Sequence, residues 1–303
     1  DYTKAISLQP SAGEIWLARA DLHSKLYNYE AALSDYEEAL HLNPADTNAL
    51  NNRGLIYMEQ KKYDPALKDF MEALRINPRF LMALNNRGNL YLQQGKYELA
   101  LKDFNEILRY DPANTEAWDS RGNVFYSRGL NDSAMANFNY VLKLNPANTN
   151  ALINRGNTLL AMGKRGEAVT DYRTAITIDP KKLGGWFNLA NGFIQINQFD
   201  SAIRYSNDAL RYNNKYPPAL NTRALAFYYL GNISAAEKDI TLSLQVNPRS
   251  STALNILGMI CTQKGMLDSA LNAYNWALLL EPKNIDVLNN RGLLLYNTNR
   301  YKE

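Results

Sequence analysis

The stretch Thr47–Pro78, TNALNNRGLIYMEQKKYDPALKDFMEALRINP, decides the fold of this chain. Its apolar and small residues recur at helical spacing in two runs: Leu50, Gly54 and Tyr57, then Ala66, Phe70 and Ala73. The spacing predicts a first helix with Thr47 as its N-cap, a turn over residues 61–64 and a second helix. Pro78 ends the second helix because proline cannot continue one. The stretch therefore predicts a helix hairpin.

The same pattern recurs along the chain with a period of 34 residues. Prolines mark this period at Pro10, Pro44, Pro78, Pro112, Pro146, Pro180, Pro248 and Pro282. A fixed period of this size predicts a stacked repeat architecture. We divide the chain into a half repeat (1–12), eight full repeats (13–46, 47–80, 81–114, 115–148, 149–182, 183–216, 217–250 and 251–284) and a half repeat (285–303). We expect one elongated domain over residues 1–303, cut from a longer protein.

Residues at fixed positions, counted from the first residue of each repeat, indicate how the helices pack. Position 8 is always glycine or alanine (Gly54), position 20 is alanine (Ala66) and position 24 is mostly aromatic (Phe70). Small residues let two helices approach while a ring opposite fills the space. Position 15 is mostly glycine or asparagine (Gly95), which suits a left-handed helix end. These residues resemble the tetratricopeptide repeat family along essentially the whole chain. The resemblance implies an all-α, right-handed solenoid, a superhelix of stacked antiparallel helix pairs.

Position 7 is arginine in six full repeats, and position 23 is aspartate or asparagine in the same six. Where position 7 is leucine, at Leu189 and Leu257, position 23 is Tyr205 and Ala273 instead. Because the two positions change together, we predict arginine–aspartate pairs between the two helices of one repeat. An arginine row for anionic ligands remains the alternative.

The family resemblance places binding residues on the first helices, where asparagine dominates here. Asparagine costs roughly 0.6 kcal/mol against alanine at each helical site, so its repetition on one face suggests a function. An amide offers an acceptor and two donors without charge, which match the main chain of an extended peptide. The predicted partner-binding residues are Asn51, Asn52, Asn85, Asn86, Asn89, Asn123, Tyr126, Asn154, Asn157, Phe187, Asn188, Asn191, Asn221, Tyr228, Asn255, Asn289 and Asn290.

The asparagines at position 6 are similar to the asparagine ladder in the repeat region of O-linked N-acetylglucosamine transferase. The row comprises Asn52, Asn86, Asn154, Asn188 and Asn290. The resemblance implies a peptide-binding groove and not glycosyl transfer. The alternative is that these amides bond to neighbouring helices and shape the stack. A clamp for a C-terminal carboxylate is not expected, because no basic residue stands at positions 2, 5 or 6.

Composition excludes several classes of function. A net charge of +3, spread along the chain, argues against nucleic-acid binding. No apolar run is long enough to predict a membrane-spanning helix. Cys261 is predicted to be a buried core thiol. His23 and His41 lack neighbours with metal-ligand spacing, so we expect no metal, no cofactor and no catalytic site. The cellular compartment stays open.

The sequence therefore predicts a non-catalytic protein–protein interaction scaffold. Its concave, asparagine-lined groove would hold an extended peptide or a partner segment. Two alternatives remain. One is the substrate-recruiting region of a larger enzyme or of a secretion or assembly machine. The other is a structural scaffold whose terminal half repeats stack head to tail between copies.

Overall fold

A computed structural model describes residues 1–299, and residues 300–303 of the predicted last half repeat lie outside the described residues. All regular structure within residues 1–299 is helical. The helices are α1 (Tyr2–Leu8), α2 (Gly13–Lys25), α3 (Tyr29–Leu42), α4 (Thr47–Glu59), α5 (Tyr63–Ile76), α6 (Leu81–Gln93), α7 (Tyr97–Tyr110), α8 (Thr115–Ser127), α9 (Asn131–Leu144), α10 (Thr149–Ala161), α11 (Arg165–Ile178), α12 (Leu183–Gln195), α13 (Phe199–Tyr212), α14 (Pro217–Tyr229), α15 (Ile233–Val246), α16 (Ser251–Gln263), α17 (Leu267–Leu280) and α18 (Ile285–Asn297).

The helices form two compact units, which are described separately. The first unit is Asp1–Pro146, and the second begins at Ala147. In each unit the first helix of a repeat packs against the second helix that follows it, as α4 does against α5 and α14 against α15. First helices of successive repeats also contact one another, as α4 and α6 do in the first unit and α12 and α14 in the second. The predicted all-α stack of helix pairs is confirmed, and the single domain over 1–303 stays a prediction.

A ring from the second helix packs against a glycine of the first helix in most repeats. A Cβ atom added to Gly122 would lie 2.6 Å from Cε1 of Phe138, which is fully buried. At Gly156 the corresponding distance to Cε1 of Tyr172 is 2.5 Å. Both distances are shorter than any ordinary carbon contact, so the absent side chain is what allows the two helices to approach.

The turn between the two helices of a repeat contains a left-handed residue at position 15. Glycine fills it at Gly95, where φ is +69°, and in four further repeats. Lys61 adopts the same conformation with a φ of +58°, as does Tyr27 with a φ of +60°. The predicted left-handed helix end is therefore present even where glycine and asparagine, the residues that favour it, are replaced.

One sequence-based assignment at the start of α4 is wrong by a residue. Asp46, not Thr47, is the N-cap, and its Oδ1 accepts hydrogen bonds from the backbone N–H groups of Asn48 (2.9 Å) and Ala49 (3.0 Å). Thr47 is the first helical residue. The carboxylate of Asp46 satisfies two N–H groups that the helix itself leaves without acceptors.

The predicted arginine–aspartate pairs are present. Nε of Arg53 donates to Oδ2 of Asp69 at 2.8 Å, and Nη2 donates to Oδ1 at 2.7 Å. The Asp69 side chain is 5% exposed and that of Arg53 20%. The same two-bond geometry joins Arg19 to Asp35, Arg87 to Asp103, Arg155 to Asp171 and Arg223 to Asp239. These guanidinium groups are engaged by carboxylates, which argues against an anion-binding row.

The repeat with asparagine at position 23 shows what the carboxylate contributes. Nε of Arg121 donates to Oδ1 of Asn137 at 2.9 Å, and Nη1 donates to Oδ1 of Asn105 at 2.6 Å. Burial lowers the pKa of Arg121, whereas the hydrogen bonds to Asp69 raise the pKa of Arg53. A neutral partner keeps the geometry of one bond but leaves the half-buried charge uncompensated.

We expect Asp69→Ala to destabilise the protein more than Arg53→Leu combined with Asp69→Ala, which copies Leu257 and Ala273. The single change leaves a half-buried cation without its carboxylate. The loss should be below the roughly 3–5 kcal/mol of a fully buried pair, because part of Arg53 is exposed. Urea denaturation followed by circular dichroism measures both variants. Equal losses would contradict the pairing.

We also expect Gly122→Ala to lower stability by roughly 1–3 kcal/mol, because its Cβ would overlap the Phe138 ring. Gly184→Ala is the matched control, since an added Cβ there meets nothing within 4 Å. It should leave the melting temperature unchanged or raise it slightly. If both variants melt at the wild-type temperature, the close approach does not control packing.

Candidate functional site

The predicted binding residues lie on the first helices, and most of them are half-buried. We call positions 5, 6 and 9 of these helices the first-helix face. Two of its asparagines, Asn51 and Asn221, are buried at 2% and 8% exposure. Asn289 and Tyr126 are exposed, and Tyr126 lies at position 12 beside the face. The remaining predicted residues are half-buried: Asn52, Asn85, Asn86, Asn89, Asn123, Asn154, Asn157, Phe187, Asn188, Asn191, Tyr228, Asn255 and Asn290.

In the first unit, a chain of hydrogen bonds crosses three successive first helices. Nδ2 of Asn86 donates to Oδ1 of Asn51 at 2.8 Å, and Nδ2 of Asn51 donates to Oδ1 of Asn52 at 3.2 Å. Nδ2 of Asn52 donates in turn to Oδ1 of Asp21 at 3.0 Å. These amides join neighbouring repeats, which is the stacking role that the sequence left as an alternative.

The second unit repeats one of these contacts. Nδ2 of Asn290 donates to Oδ1 of Asn255 at 3.0 Å. The two residues occupy positions 6 and 5 of successive repeats, as Asn86 and Asn51 do. In both units, therefore, a position-6 asparagine donates one hydrogen bond to the position-5 asparagine of the preceding repeat.

Tyrosines from the second helices also reach the face. The hydroxyl of Tyr36 donates to Oδ1 of Asp21 at 2.5 Å, and the hydroxyl of Tyr172 donates to Oδ1 of Asn157 at 2.7 Å. Burial, with the hydrogen bond to Asp21, raises the pKa of Tyr36, so its hydroxyl stays a neutral donor. Phenylalanine replaces tyrosine opposite Asn89, which therefore receives no such donor.

Three half-buried amides of the face are not used by the protein itself. Among residues 1–299, the side chains of Asn89, Asn188 and Asn191 make no hydrogen bond, and all three are half-buried. A half-buried amide without an internal partner can bond to water or to a ligand. These three are the best-placed donors and acceptors for another molecule.

Each unit has a pocket on this face, formed mainly by three successive first helices. The Asn85 pocket, on α4, α6 and α8, has a volume of about 350 Å³ and is lined by Asn51, Asn52, Leu55, Leu81, Met82, Asn85, Asn86, Ile107, Asn114 and Glu116. The Asn221 pocket, on α12, α14 and α16, has a volume of about 430 Å³ and is lined by Phe187, Asn191, Pro217, Pro218, Asn221, Thr222, Leu225, Asn247, Ser250, Thr252 and Ile256. Both volumes suit the side chains of a bound segment.

The position-5 asparagine of each pocket has a buried acceptor without a donor. Oδ1 of Asn85 and Oδ1 of Asn221 are both buried and unpartnered. Nδ2 of Asn85 donates to Oε1 of Glu116 at 2.6 Å. A buried acceptor without a partner costs about 1–3 kcal/mol. Each pocket thus contains a polar group that a ligand N–H would satisfy.

Three carboxylates on first helices of the first unit are replaced by neutral residues four repeats later, and the sequence analysis missed them. Asp21, Glu116 and Asp119 stand where the second unit has Asn157, Thr252 and Asn255, four repeats later. Asp119 accepts a hydrogen bond from Asn123 at 3.3 Å. The signal was available, because acidic residues at positions 2, 5 and 9 could have been sought along with basic ones.

Two further properties of the described residues bear on the site. No helix within residues 1–299 combines the length and apolar character needed to cross a bilayer. In the same residues, histidine, cysteine and acidic side chains do not gather in threes as potential metal ligands.

Family models match the chain over most of its length. Models described as Tetratricopeptide repeat match residues 47–80, 82–114, 149–182 and 221–275. A model described as TPR repeat matches residues 28–61, 122–163 and 258–299. The chain belongs to the tetratricopeptide repeat (TPR) family. Proteins of this family generally mediate protein–protein interactions, and their fold is typically non-catalytic.

Solved structures of other proteins share the fold. A thermophilic TPR protein of Thermus thermophilus is 25% identical, with a TM-score of 0.55 over 60% of this chain and 99% of that one. A TPR protein of Parabacteroides merdae is 18% identical, with a TM-score of 0.59 over 93% and 98%. Yeast Tom70 is 17% identical, with a TM-score of 0.67 over 90% and 59%. A comparison with curated proteins found no match.

Asparagines of the face should separate into two groups by their effect on stability. Asn188→Ala should raise the free energy of unfolding by about half a kcal/mol, since it gains helix propensity and loses no internal bond. Asn51→Ala should lower it, because Asn86 loses its acceptor and Asn52 its donor. Urea denaturation distinguishes the two. A loss of stability in Asn188→Ala would show that its amide is structural.

Proposed function

We propose that this TPR protein is a non-catalytic interaction scaffold that binds an extended peptide or partner segment along its concave, asparagine-lined first-helix face. The observation that carries the proposal is the set of half-buried amides without internal partners, Asn89, Asn188 and Asn191. Stability alone does not account for them, because each is a poor helix former that gains no hydrogen bond from the fold.

Amide side chains suit a peptide main chain. Each can donate to a backbone C=O and accept from a backbone N–H without imposing a charge. Such amides can hold an extended strand while tolerating different side chains, as β-augmentation does with backbone groups. The proposed ligand is therefore a polypeptide whose main chain supplies most of the polar contacts.

Aromatic and apolar residues beside the amides would bind the side chains of that segment. Tyr126 is 38% exposed, and Phe187 and Tyr228 are half-buried. Burial raises the pKa of Tyr228, so its hydroxyl is a neutral donor. Rings with one polar atom contribute large contact areas at low entropic cost, which is why they are enriched in protein interfaces.

The hydrogen bonds of the position-6 asparagines bear on which residues of the proposed ladder bind the ligand. Asn52, Asn86 and Asn290 at position 6 each donate to a neighbouring first helix. We therefore assign the stronger binding role to Asn188 and to the position-9 residues Asn89 and Asn191. The position-6 amides that bridge repeats are proposed to set the spacing of the face and to bind through their remaining donors and acceptors.

A triple variant, Asn89→Ala with Asn188→Ala and Asn191→Ala, tests the proposal. A library of short, end-capped peptides on an array is probed with wild type, and the affinity of retained peptides is measured for both proteins. Three lost hydrogen bonds of about 0.5–1.5 kcal/mol each should weaken binding by roughly tenfold or more.

The control is Asn272→Ala, an exposed asparagine on the second helix α17. It removes an amide of the same kind from outside the face and should leave peptide affinity unchanged. Circular dichroism confirms that all variants remain helical. Wild-type affinity in the triple variant would refute the amide-based groove.

A further inference from the structure

The Asn221 pocket has apolar walls and no charged group. Phe187, Leu225 and Ile256 come from three successive first helices, and Pro217 and Pro218 form the first turn of α14. The two prolines have no backbone N–H, so that side of the pocket offers carbon and no donor. A charged side chain buried here would lose its hydration without gaining a counter-ion.

Asn221 supplies the pocket with an acceptor that the fold leaves unused. The residue is 8% exposed, and its Oδ1 is buried without a hydrogen-bond donor. The terminal torsion of an asparagine side chain is broad, so the amide can turn this oxygen toward an entering N–H. A main-chain N–H next to an apolar side chain would fill both the polar and the apolar part of the pocket.

The Asn85 pocket provides an internal comparison, because it occupies the same repeat positions in the first unit. Leu81 and Met82 stand there in place of Pro217 and Pro218, the polar Asn51 in place of Phe187, and Glu116 in place of Thr252. Oε1 of Glu116 accepts the hydrogen bond from Nδ2 of Asn85. One pocket therefore has a carboxylate at its rim, and the other has a hydroxyl.

We propose that the Asn221 pocket anchors one uncharged, apolar side chain of the bound segment, with Oδ1 of Asn221 accepting a main-chain N–H beside it. Thr252 is the specificity-determining residue, because it leaves the rim neutral where Glu116 makes the corresponding rim anionic. The inference rests on the proposed function, since it assigns a subsite of the same groove. Beyond that function, the inference names the class of ligand side chain, uncharged and apolar, that the second unit selects.

Thr252→Glu tests the assignment. Thr252 is exposed and lies in the first turn of α16, where a carboxylate is favourable, so the variant should fold normally. Short, end-capped peptides, randomised at all positions but one, are assayed for binding to the whole chain. Wild type should select leucine, isoleucine, methionine or phenylalanine at one position. Thr252→Glu should shift that position toward lysine and arginine and weaken the best wild-type peptides about tenfold.

Glu116→Thr is the matched control, since it makes the reciprocal change in the other pocket. It should leave the apolar preference intact. Peptide binding without an apolar preference, or a preference that Thr252→Glu does not change, would overturn the subsite while the proposed function stands. Failure of wild type to retain any peptide would overturn both.

Discussion

The contact between a ring at position 24 and a glycine at position 8 is the constraint on which the rest of the structure depends. A Cβ on Gly88 would lie 2.8 Å from Cε1 of Phe104, so the ring seats directly on the backbone of the first helix. This contact fixes the distance between the two helices of a repeat. The contact joins the same two positions, 8 and 24, in most repeats. The first helices of neighbouring repeats therefore turn the same positions toward the first-helix face. A row of amides at positions 5, 6 and 9 becomes a surface only through this packing.

Local structure could be predicted from the sequence because its causes lie within one repeat. The helix pairs and the Arg53–Asp69 pair follow from residues fewer than 34 positions apart. The N-cap was misplaced at Thr47 because threonine and the preceding Asp46 are both good caps, and only geometry shows which oxygen reaches the N–H groups.

The use of each asparagine could not be predicted, because it depends on the repeat before it. Asn52 bonds to Asp21, which happens to stand at position 9 of the preceding repeat, whereas Asn86 finds Leu55 there and turns to Asn51. Asparagines at the same repeat position therefore have different hydrogen-bond partners. The pockets were missed for the same reason, since three successive repeats contribute to each.

The face thus combines two roles of one residue type. Amides such as Asn51 connect successive first helices, while Asn89, Asn188 and Asn191 are left with unused hydrogen-bonding capacity. The connecting amides hold neighbouring first helices together, which would lower the entropy that a ligand in the proposed function loses on binding. In the proposed function, Glu116 in the first unit and Thr252 in the second would give the two pockets different side-chain preferences.

The most direct test of this account is an NMR titration that follows the side-chain amide signals of assigned asparagines while a retained peptide is added. The account predicts that the NH₂ signals of Asn89, Asn188 and Asn191 shift in a saturable manner, while that of Asn272 on a second helix stays in place. Saturable binding that moves none of the three signals would contradict the claim that these amides hold the ligand.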